Sequence, residues 1–102
     1  MRKRNGEKIT ALTCYDASFA AVLERAELDI ALVGDSLGMV VQGQGSTLPV
    51  TLEQMVYHCK AVARGLRTPL LIADMPFMSY RDVPVAMDSA TRLLAEGGAA
   101  MV

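Results

Sequence analysis

Two aspartates follow short apolar segments, and they are the residues best placed to do chemistry. Asp35 comes after residues 30–34 and Asp74 ends the segment 69–74. In parallel α/β folds, ligands bind at the carboxyl ends of the strands. If the two strands are neighbours, about 4.8 Å apart, the carboxylates repel each other unless a cation or a shared proton intervenes. Mg²⁺ is the simplest cation that would relieve this repulsion, so the pair predicts a metal site.

An aspartate after a strand is also a common turn residue or helix cap, so a structural role stays open for either acid. The residues after Asp35 favour function, because no charge occurs again before Glu53. Connections longer than about 12–15 residues are usually functional or disordered. We therefore expect residues 36–52 to cover a site and exclude water. Ser36 could donate a hydrogen bond to a substrate oxyanion, or only close a local turn.

Strands and helices alternate along the sequence. Short apolar runs predict strands over residues 9–13, 30–33 and 69–74, and another begins at 99–102. A continuous apolar run such as 30–33 is typical of a strand covered on both faces. Strands alternating with helices imply right-handed crossovers and a parallel sheet. These units are too few to close a barrel, so residues 1–102 are predicted to be the N-terminal part of one larger α/β domain.

Three helices are predicted between the strands. Asp16 caps the first, Thr51 and Gln54 form a capping box at the start of the second, and Pro84 begins the third. The side chains predicted to be buried in the first helix are Phe19, Val22, Leu23 and Ala26. Those in the second are Leu52, Met55, Val56, Cys59, Val62 and Leu66, and those in the third are Ala86, Ala90, Leu93 and Leu94.

Composition excludes several classes of function. The formal net charge is −1, which gives no basic field for nucleic acid. Residues 1–8 are basic but lack the apolar region of a secretory signal, so we predict a solvated lead-in and a cytoplasmic protein. Residues 36–52 are uncharged but too polar for a membrane span. Cys14 and Cys59 lie too far apart for a zinc motif and are predicted to be reduced thiols.

The second helix also carries polar residues outside its apolar stripe. His58 shares a face with Gln54 and Ala61, and we predict a solvated or interface histidine. Tyr57, Lys60 and Arg64 share an outer face that is either solvated or part of an oligomer contact. A non-catalytic αβ module that binds a partner through this outer face is therefore an alternative to an enzyme.

Four segments carry a resemblance to a known family. TCYDASFA, LVGDSLGMVVQG, STLPVTLEQMVYH and ADMPFMSY, in this order, resemble the ketopantoate hydroxymethyltransferases from about residue 8 to residue 102. The resemblance implies a (βα)₈ TIM barrel, of which this chain covers the first three βα units and the start of the fourth strand. It also implies a homo-oligomer, since the family forms decamers. The implied reaction moves a hydroxymethyl group from 5,10-methylenetetrahydrofolate to α-ketoisovalerate, the first committed step of pantothenate synthesis.

The resemblance also assigns roles to residues. It makes Asp35 and Asp74 the Mg²⁺ ligands, and it makes Ser36 a contact to the keto acid together with both acids. A substrate-binding lysine, a glutamate near the metal and the general-base glutamate are all expected beyond Val102. No catalytic residue is therefore expected within this chain, and we predict that the isolated chain is inactive.

A second enzyme class also uses Mg²⁺ and enolates of small keto acids, namely barrels of the phosphoenolpyruvate mutase and isocitrate lyase type. These enzymes share the YD…GDS pattern. A phosphonate or multi-carboxylate substrate would want basic residues near the site, whereas residues 36–52 have none. The uncharged connection therefore favours the hydroxymethyltransferase.

Overall fold

The predicted strands form one parallel sheet. A computed structural model describes residues 6–102, so most of the predicted basic lead-in lies outside the described residues. The elements in chain order are β1 (Ala11–Thr13), α1 (Ala17–Arg25), β2 (Ile30–Val33), α2 (Leu37–Val40), α3 (Leu52–Gly65), β3 (Leu70–Ala73) and α4 (Val83–Ala95). The prediction of a mixed α/β chain with a parallel sheet is confirmed.

The strands lie side by side in chain order, β1-β2-β3. Ala11 is opposite Ile30 in the first pair, and Val33 is opposite Ala73 in the second. On the far side of β3, Ile72 forms a parallel bridge with Met101, and the Ala73 N–H donates to the Met101 carbonyl at 2.9 Å. The predicted start of a fourth strand is therefore present as a single bridge next to β3.

Helices cover one face of this sheet. Ala31, Val33, Leu71 and Ala73 are buried on that face, while Leu32 and Ile72 point to the other face and are only partly buried. The expectation that β2 is covered on both faces is thus met on one face within residues 6–102. The side chains of Leu32 and Ile72 leave an apolar surface that continues toward the strand ends.

Capping fixes where the helices begin. The Asp16 carboxylate accepts from the Phe19 N–H at 2.7 Å, and Thr51 and Gln54 make both hydrogen bonds of the predicted capping box. For α4 the prediction was one residue late, because Asp82 caps the helix and Val83 precedes Pro84. The described residues contain no helix long and apolar enough to cross a membrane.

The buried face of α1 differs from the prediction. Leu23 is buried as predicted, but Phe19 and Val22 are 45% and 54% exposed, Ala26 is exposed, and Ala20 is buried in their place. The cause is the close approach of α3, where a Cβ on Gly65 would lie 2.6 Å from the Ala17 carbonyl oxygen. Small residues on both helices allow this approach, while the side chains of Phe19 and Val22 are turned outward.

The apolar stripe of α3 is largely as predicted, and that of α4 only in part. Met55, Val56, Cys59 and Val62 are buried, while Leu52 and Leu66 are partly buried. In α4, Leu93 is fully buried and Ala86 and Ala90 are partly buried, but Leu94 is 42% exposed. Ser89 takes the second buried position of α4, a helix that packs against α3.

Candidate functional site

The two predicted acids lie together at the carboxyl ends of β2 and β3. The Asp74 N–H donates to the Val33 carbonyl at 2.9 Å, which extends the strand pairing to Asp74. The Asp35 N–H then points at the Asp74 carboxylate, with Oδ2 at 3.4 Å. The geometric prediction that neighbouring strands bring these residues together therefore holds, while their roles as ligands stay predictions.

The surroundings of the pair make ionisation of Asp35 less favourable than in water. Burial raises the pKa of the Asp35 carboxyl, and the charge of Asp74 and a hydrogen bond with its side chain raise that pKa further. A hydrogen bond from the Thr47 side chain acts in the opposite direction and is outweighed. Such a site favours a proton or a cation between the two carboxylates.

An open cleft of about 590 Å³ lies beside the two acids. Apart from the acids, the residues that line it are Leu32, Ile72, Ala73, Met75, Tyr80 and Val102. None of the described lining residues is basic. A small carboxylate ligand could therefore be held in this cleft only with a cation or with a positive group from elsewhere.

The donor set suits Mg²⁺ in particular. Carboxylate oxygens are hard ligands, and Mg²⁺ is usually held by one or two carboxylates while it keeps several waters. Residues 6–102 contain no cluster of three or more histidine, cysteine, aspartate or glutamate side chains that could form a complete protein cage. Two carboxylates with unneutralised charge match the requirement of Mg²⁺ and not that of a structural zinc site.

Ser36 lies next to Asp35, and its hydroxyl is hydrogen-bonded to a tyrosine. The distance from Ser36 Oγ to the Tyr15 hydroxyl oxygen is 2.6 Å. Ser36 stands at the N-cap of α2, yet its side chain makes no capping hydrogen bond. The turn after β2 is closed by the backbone, through the Leu37 N–H to the Gly34 carbonyl at 3.1 Å. The alternative role of the Ser36 side chain in closing the turn is therefore not what the structure shows.

Residues 36–52 are more ordered than the predicted Gly-rich connection. They begin with α2, and Leu37, Gly38 and Val50 are buried in contact with one another. A Cβ on Gly38 would collide with the Val50 side chain, so this contact requires glycine. The segment then returns to the site, where Thr47 bonds Asp35. It supplies only neutral groups, as its sequence predicted.

His58 does not lie on a solvated face. It is partly buried, and its Nδ1 lies 2.7 Å from the Tyr15 carbonyl oxygen. Since a carbonyl only accepts, Nδ1 must carry the proton and donate it. The prediction of a solvated histidine was wrong because this face of α3 is turned toward Tyr15 in the β1–α1 connection, while an interface role stays a prediction.

Tyr15 is the site residue that the sequence prediction missed. It follows β1 at the same edge of the sheet where Asp35 follows β2 and Asp74 follows β3. The rule that selected the two acids would have selected Tyr15 had it been applied to uncharged polar residues as well. The four side chains that the structure assembles at the strand ends are Tyr15, Asp35, Ser36 and Asp74.

The remaining candidates lie away from this edge. Tyr57 is 69% exposed, and Lys60 and Arg64 are exposed on the same outer face of α3, as predicted. Cys14 and Cys59 are free and buried. Burial raises the pKa of the Cys59 thiol to about 12, so that this group stays protonated and unreactive.

Comparison with known proteins gives consistent matches along the chain. A family model described as ketopantoate hydroxymethyltransferase matches residues 1–102. The 3-methyl-2-oxobutanoate hydroxymethyltransferase of Nitrosococcus oceani is 63% identical over 100 residues, which are 98% of this chain and 38% of that protein. Proteins of the same name from Azoarcus sp. and Halorhodospira halophila are 60% and 55% identical over 96 and 100 residues. The matches cover 93% and 98% of this chain and 35% and 36% of those proteins, so the chain spans little more than a third of the length of these relatives.

Proposed function

The chain belongs to the ketopantoate hydroxymethyltransferase family, and we propose that the full-length protein transfers a hydroxymethyl group from 5,10-methylenetetrahydrofolate to α-ketoisovalerate. Full-length here means these residues together with the remaining length that the relatives have. The product would be ketopantoate, a precursor of pantothenate. The observation that carries the proposal for this chain is the meeting of Asp35 and Asp74 at the carboxyl ends of neighbouring parallel strands.

Asp35 and Asp74 would hold Mg²⁺ in this function. Burial and the charge of Asp74 raise the pKa of Asp35, and the cleft beside the two acids has room for a small keto acid. When bound, Mg²⁺ would supply positive charge to the keto and carboxylate oxygens of the substrate and so stabilise the enolate. Carboxylates of this chain would thereby attract a carboxylate substrate that they would otherwise repel.

Ser36 would orient the keto acid by donating its hydroxyl proton to a substrate oxygen. In the reaction, the C3–H bond of α-ketoisovalerate breaks and its proton passes to a base. The enolate carbon then forms a bond to the methylene carbon of the folate, and both C–N bonds of that carbon break. Water supplies the hydroxyl group at that carbon, and the two folate nitrogens take up the proton removed from C3 and one proton of the water as tetrahydrofolate leaves. The base is expected to be a glutamate outside residues 1–102, so this chain's part is binding and orientation.

A closed (βα)₈ barrel is proposed for the full-length protein. Three parallel strands in chain order, with a fourth beginning at Met101, are the arrangement that a barrel requires. The partly exposed Leu32 and Ile72 would then face the barrel interior, where side chains from further strands could cover them. The family resemblance extends the proposal to a cytoplasmic homo-oligomer, decameric as in the family.

The lack of basic residues in the described lining of the cleft bears on the two alternatives. A phosphonate or multi-carboxylate substrate, as in the phosphoenolpyruvate mutase and isocitrate lyase type, would need basic groups that the described lining lacks. A partner-binding module would not explain why Tyr15, Asp35, Ser36 and Asp74 lie together at the strand ends. The hydroxymethyl transfer accounts for both features.

The direct test is an assay of the full-length protein with both substrates, in Mg²⁺ and in excess EDTA. We expect tetrahydrofolate and ketopantoate to form in equal amounts, only with Mg²⁺, and no turnover of isocitrate or phosphoenolpyruvate. The isolated chain of residues 1–102 serves as a second sample and is expected to give no turnover. Appreciable transfer by that isolated chain would contradict the assignment of the base to a residue outside it.

A further inference from the structure

We propose that Tyr15 is a positioning residue for the keto acid, acting through the Ser36 hydroxyl. This inference rests on the proposed function, since it concerns how the same site orients its substrate. Its basis is the hydrogen bond of 2.6 Å between the Tyr15 hydroxyl and Ser36 Oγ, at the edge of the sheet where Asp35 and Asp74 meet.

The direction of this hydrogen bond follows from the acidity of the two hydroxyls. A phenol is far more acidic than an alkyl hydroxyl, so Tyr15 is the better donor and Ser36 the better acceptor. A serine hydroxyl has one proton to donate and two lone pairs, and it rotates to suit its partners. With one lone pair engaged by Tyr15, the Ser36 proton is left to point toward a bound anion.

Two other roles for the Ser36 hydroxyl are already excluded by its surroundings. The side chain does not cap α2, and backbone hydrogen bonds close the turn at Gly34 and Asp35. The hydroxyl therefore has no structural function that the turn or the short helix would lose. Its hydrogen-bond partner is Tyr15, which lies just after β1 and 21 residues earlier in the chain.

Tyr15 is itself held from two sides. The Cys14 N–H donates to the Leu32 carbonyl at 2.9 Å, which fixes the end of β1 against β2. On the other side, His58 Nδ1 donates to the Tyr15 carbonyl at 2.7 Å, and the tyrosine ring packs against the buried core. Backbone and ring are thus fixed by contacts that do not involve the hydroxyl, which is left for Ser36.

The test uses Tyr15→Phe in the full-length protein, because phenylalanine keeps the ring and removes only the hydroxyl. We expect the KM for the keto acid, and its dissociation constant measured by calorimetry with Mg²⁺ present, to rise about tenfold. The KM for the folate should stay within about twofold. The matched control is Tyr57→Phe, the same change on the exposed face of α3, which should leave all three values unchanged.

A double-mutant cycle separates positioning from a general structural effect. If Tyr15 acts through Ser36, then Tyr15→Phe in a Ser36→Ala background should change the keto-acid affinity by less than about twofold. An equal effect of Tyr15→Phe in both backgrounds would overturn the proposal. So would an unchanged keto-acid affinity in the single variant, provided that the unmodified protein binds and converts the keto acid.

His58 provides a second route if Tyr15→Phe does not fold. His58→Asn keeps a donor near the position of Nδ1, whereas His58→Ala removes it. We expect His58→Ala to weaken keto-acid binding several-fold and His58→Asn to restore most of it. Equal affinities in these two variants and in the unmodified protein would contradict the proposal. Failure of the unmodified protein to bind keto acid would instead reject the proposed function itself.

Discussion

Carboxylates at the two ends of the sheet differ in the hydrogen bonds that they accept. At the amino end, Asp29 Oδ2 accepts from the Thr10 N–H at 2.9 Å and from the Thr10 hydroxyl at 3.2 Å. Glu24 accepts from the backbone N–H groups of Arg67 and Thr68. At the carboxyl end, Asp35 and Asp74 lie next to each other, and the hydrogen bond from the Asp35 N–H to Asp74 Oδ2 is long, at 3.4 Å.

The electrostatic consequences are opposite as well. Hydrogen bonds from the Thr68 and Arg67 N–H groups lower the pKa of the Glu24 carboxyl, whereas burial and the charge of Asp74 raise that of Asp35. Carboxylates that receive donors from their own chain act as anchors between segments. At the carboxyl end, the donors to Asp35 do not outweigh its burial and the charge of Asp74, and carboxylates with raised pKa values in a cleft are typical of functional sites.

The largest expected effect comes from removing a charge at the carboxyl end. Asp35→Asn in the full-length protein should lower the rate of hydroxymethyl transfer by about 10²–10³-fold, because a ligand of the proposed Mg²⁺ site is lost. Steady-state assays with calorimetric titration of Mg²⁺ measure both effects. The matched control is Asp29→Asn, the same change at the amino end, and it should leave Mg²⁺ affinity unchanged. Intact metal and keto-acid binding in Asp35→Asn would contradict the proposed role of Asp35 in the Mg²⁺ site, and with it the proposed function.

The second effect is stabilisation of the folded protein by Mg²⁺. At a concentration of about 100 times its dissociation constant, a ligand that binds only the folded state contributes about 2.7 kcal/mol. We therefore expect Mg²⁺ to raise the Tm of the full-length protein by about 5–10 °C in thermal denaturation. The increase should persist in Asp29→Asn and disappear in Asp74→Asn. An equal increase in all three proteins would mean that Mg²⁺ binds elsewhere.

The third effect belongs to the amino end. Asp29→Ala removes the acceptor of both Thr10 hydrogen bonds, and we expect the free energy of unfolding to fall by about 1–2 kcal/mol. Urea denaturation of the full-length protein measures this loss, and Asp29→Asn, which keeps one acceptor oxygen, should lose less. Mg²⁺ affinity should be the same in both variants. A loss of Mg²⁺ affinity in Asp29→Ala would show that the two ends are not independent.

The sequence predicted those features that depend on neighbouring residues. Short apolar runs identified the strands, and the Thr51–Gln54 capping box identified the start of α3, because each pattern depends on residues within one turn or one strand. The meeting of Asp35 and Asp74 was also predictable, because strands in chain order place their ends at one edge.

Features that depend on how elements pack were predicted less well. The spacing along α1 correctly predicted that Leu23 is buried, but it did not decide between Phe19 and Ala20 one turn earlier, and the contact with Gly65 favours Ala20. The same holds for His58, whose environment depends on how α3 packs beside Tyr15 in the β1–α1 connection. The short α2 was missed because Gly38 and the following polar residues weaken its helical pattern.

The smallest expected effect tests the amino end through pH. Because the folded-state pKa of Glu24 lies below its ordinary value of 4.5, its hydrogen bonds stabilise the fold at pH values above 4.5. This stabilisation is lost as the pH falls through the folded-state pKa. Glu24→Gln should therefore unfold at a lower urea concentration than the unmodified protein at pH 7, and the difference should shrink steadily below about pH 4.5.

The exposed Glu7→Gln serves as the control, with little change at either pH. If the difference between Glu24→Gln and the unmodified protein stayed constant down to pH 3, the ionised carboxylate would not be what anchors Arg67 and Thr68. The proposed contrast between the two ends of the sheet would then fail at the amino end.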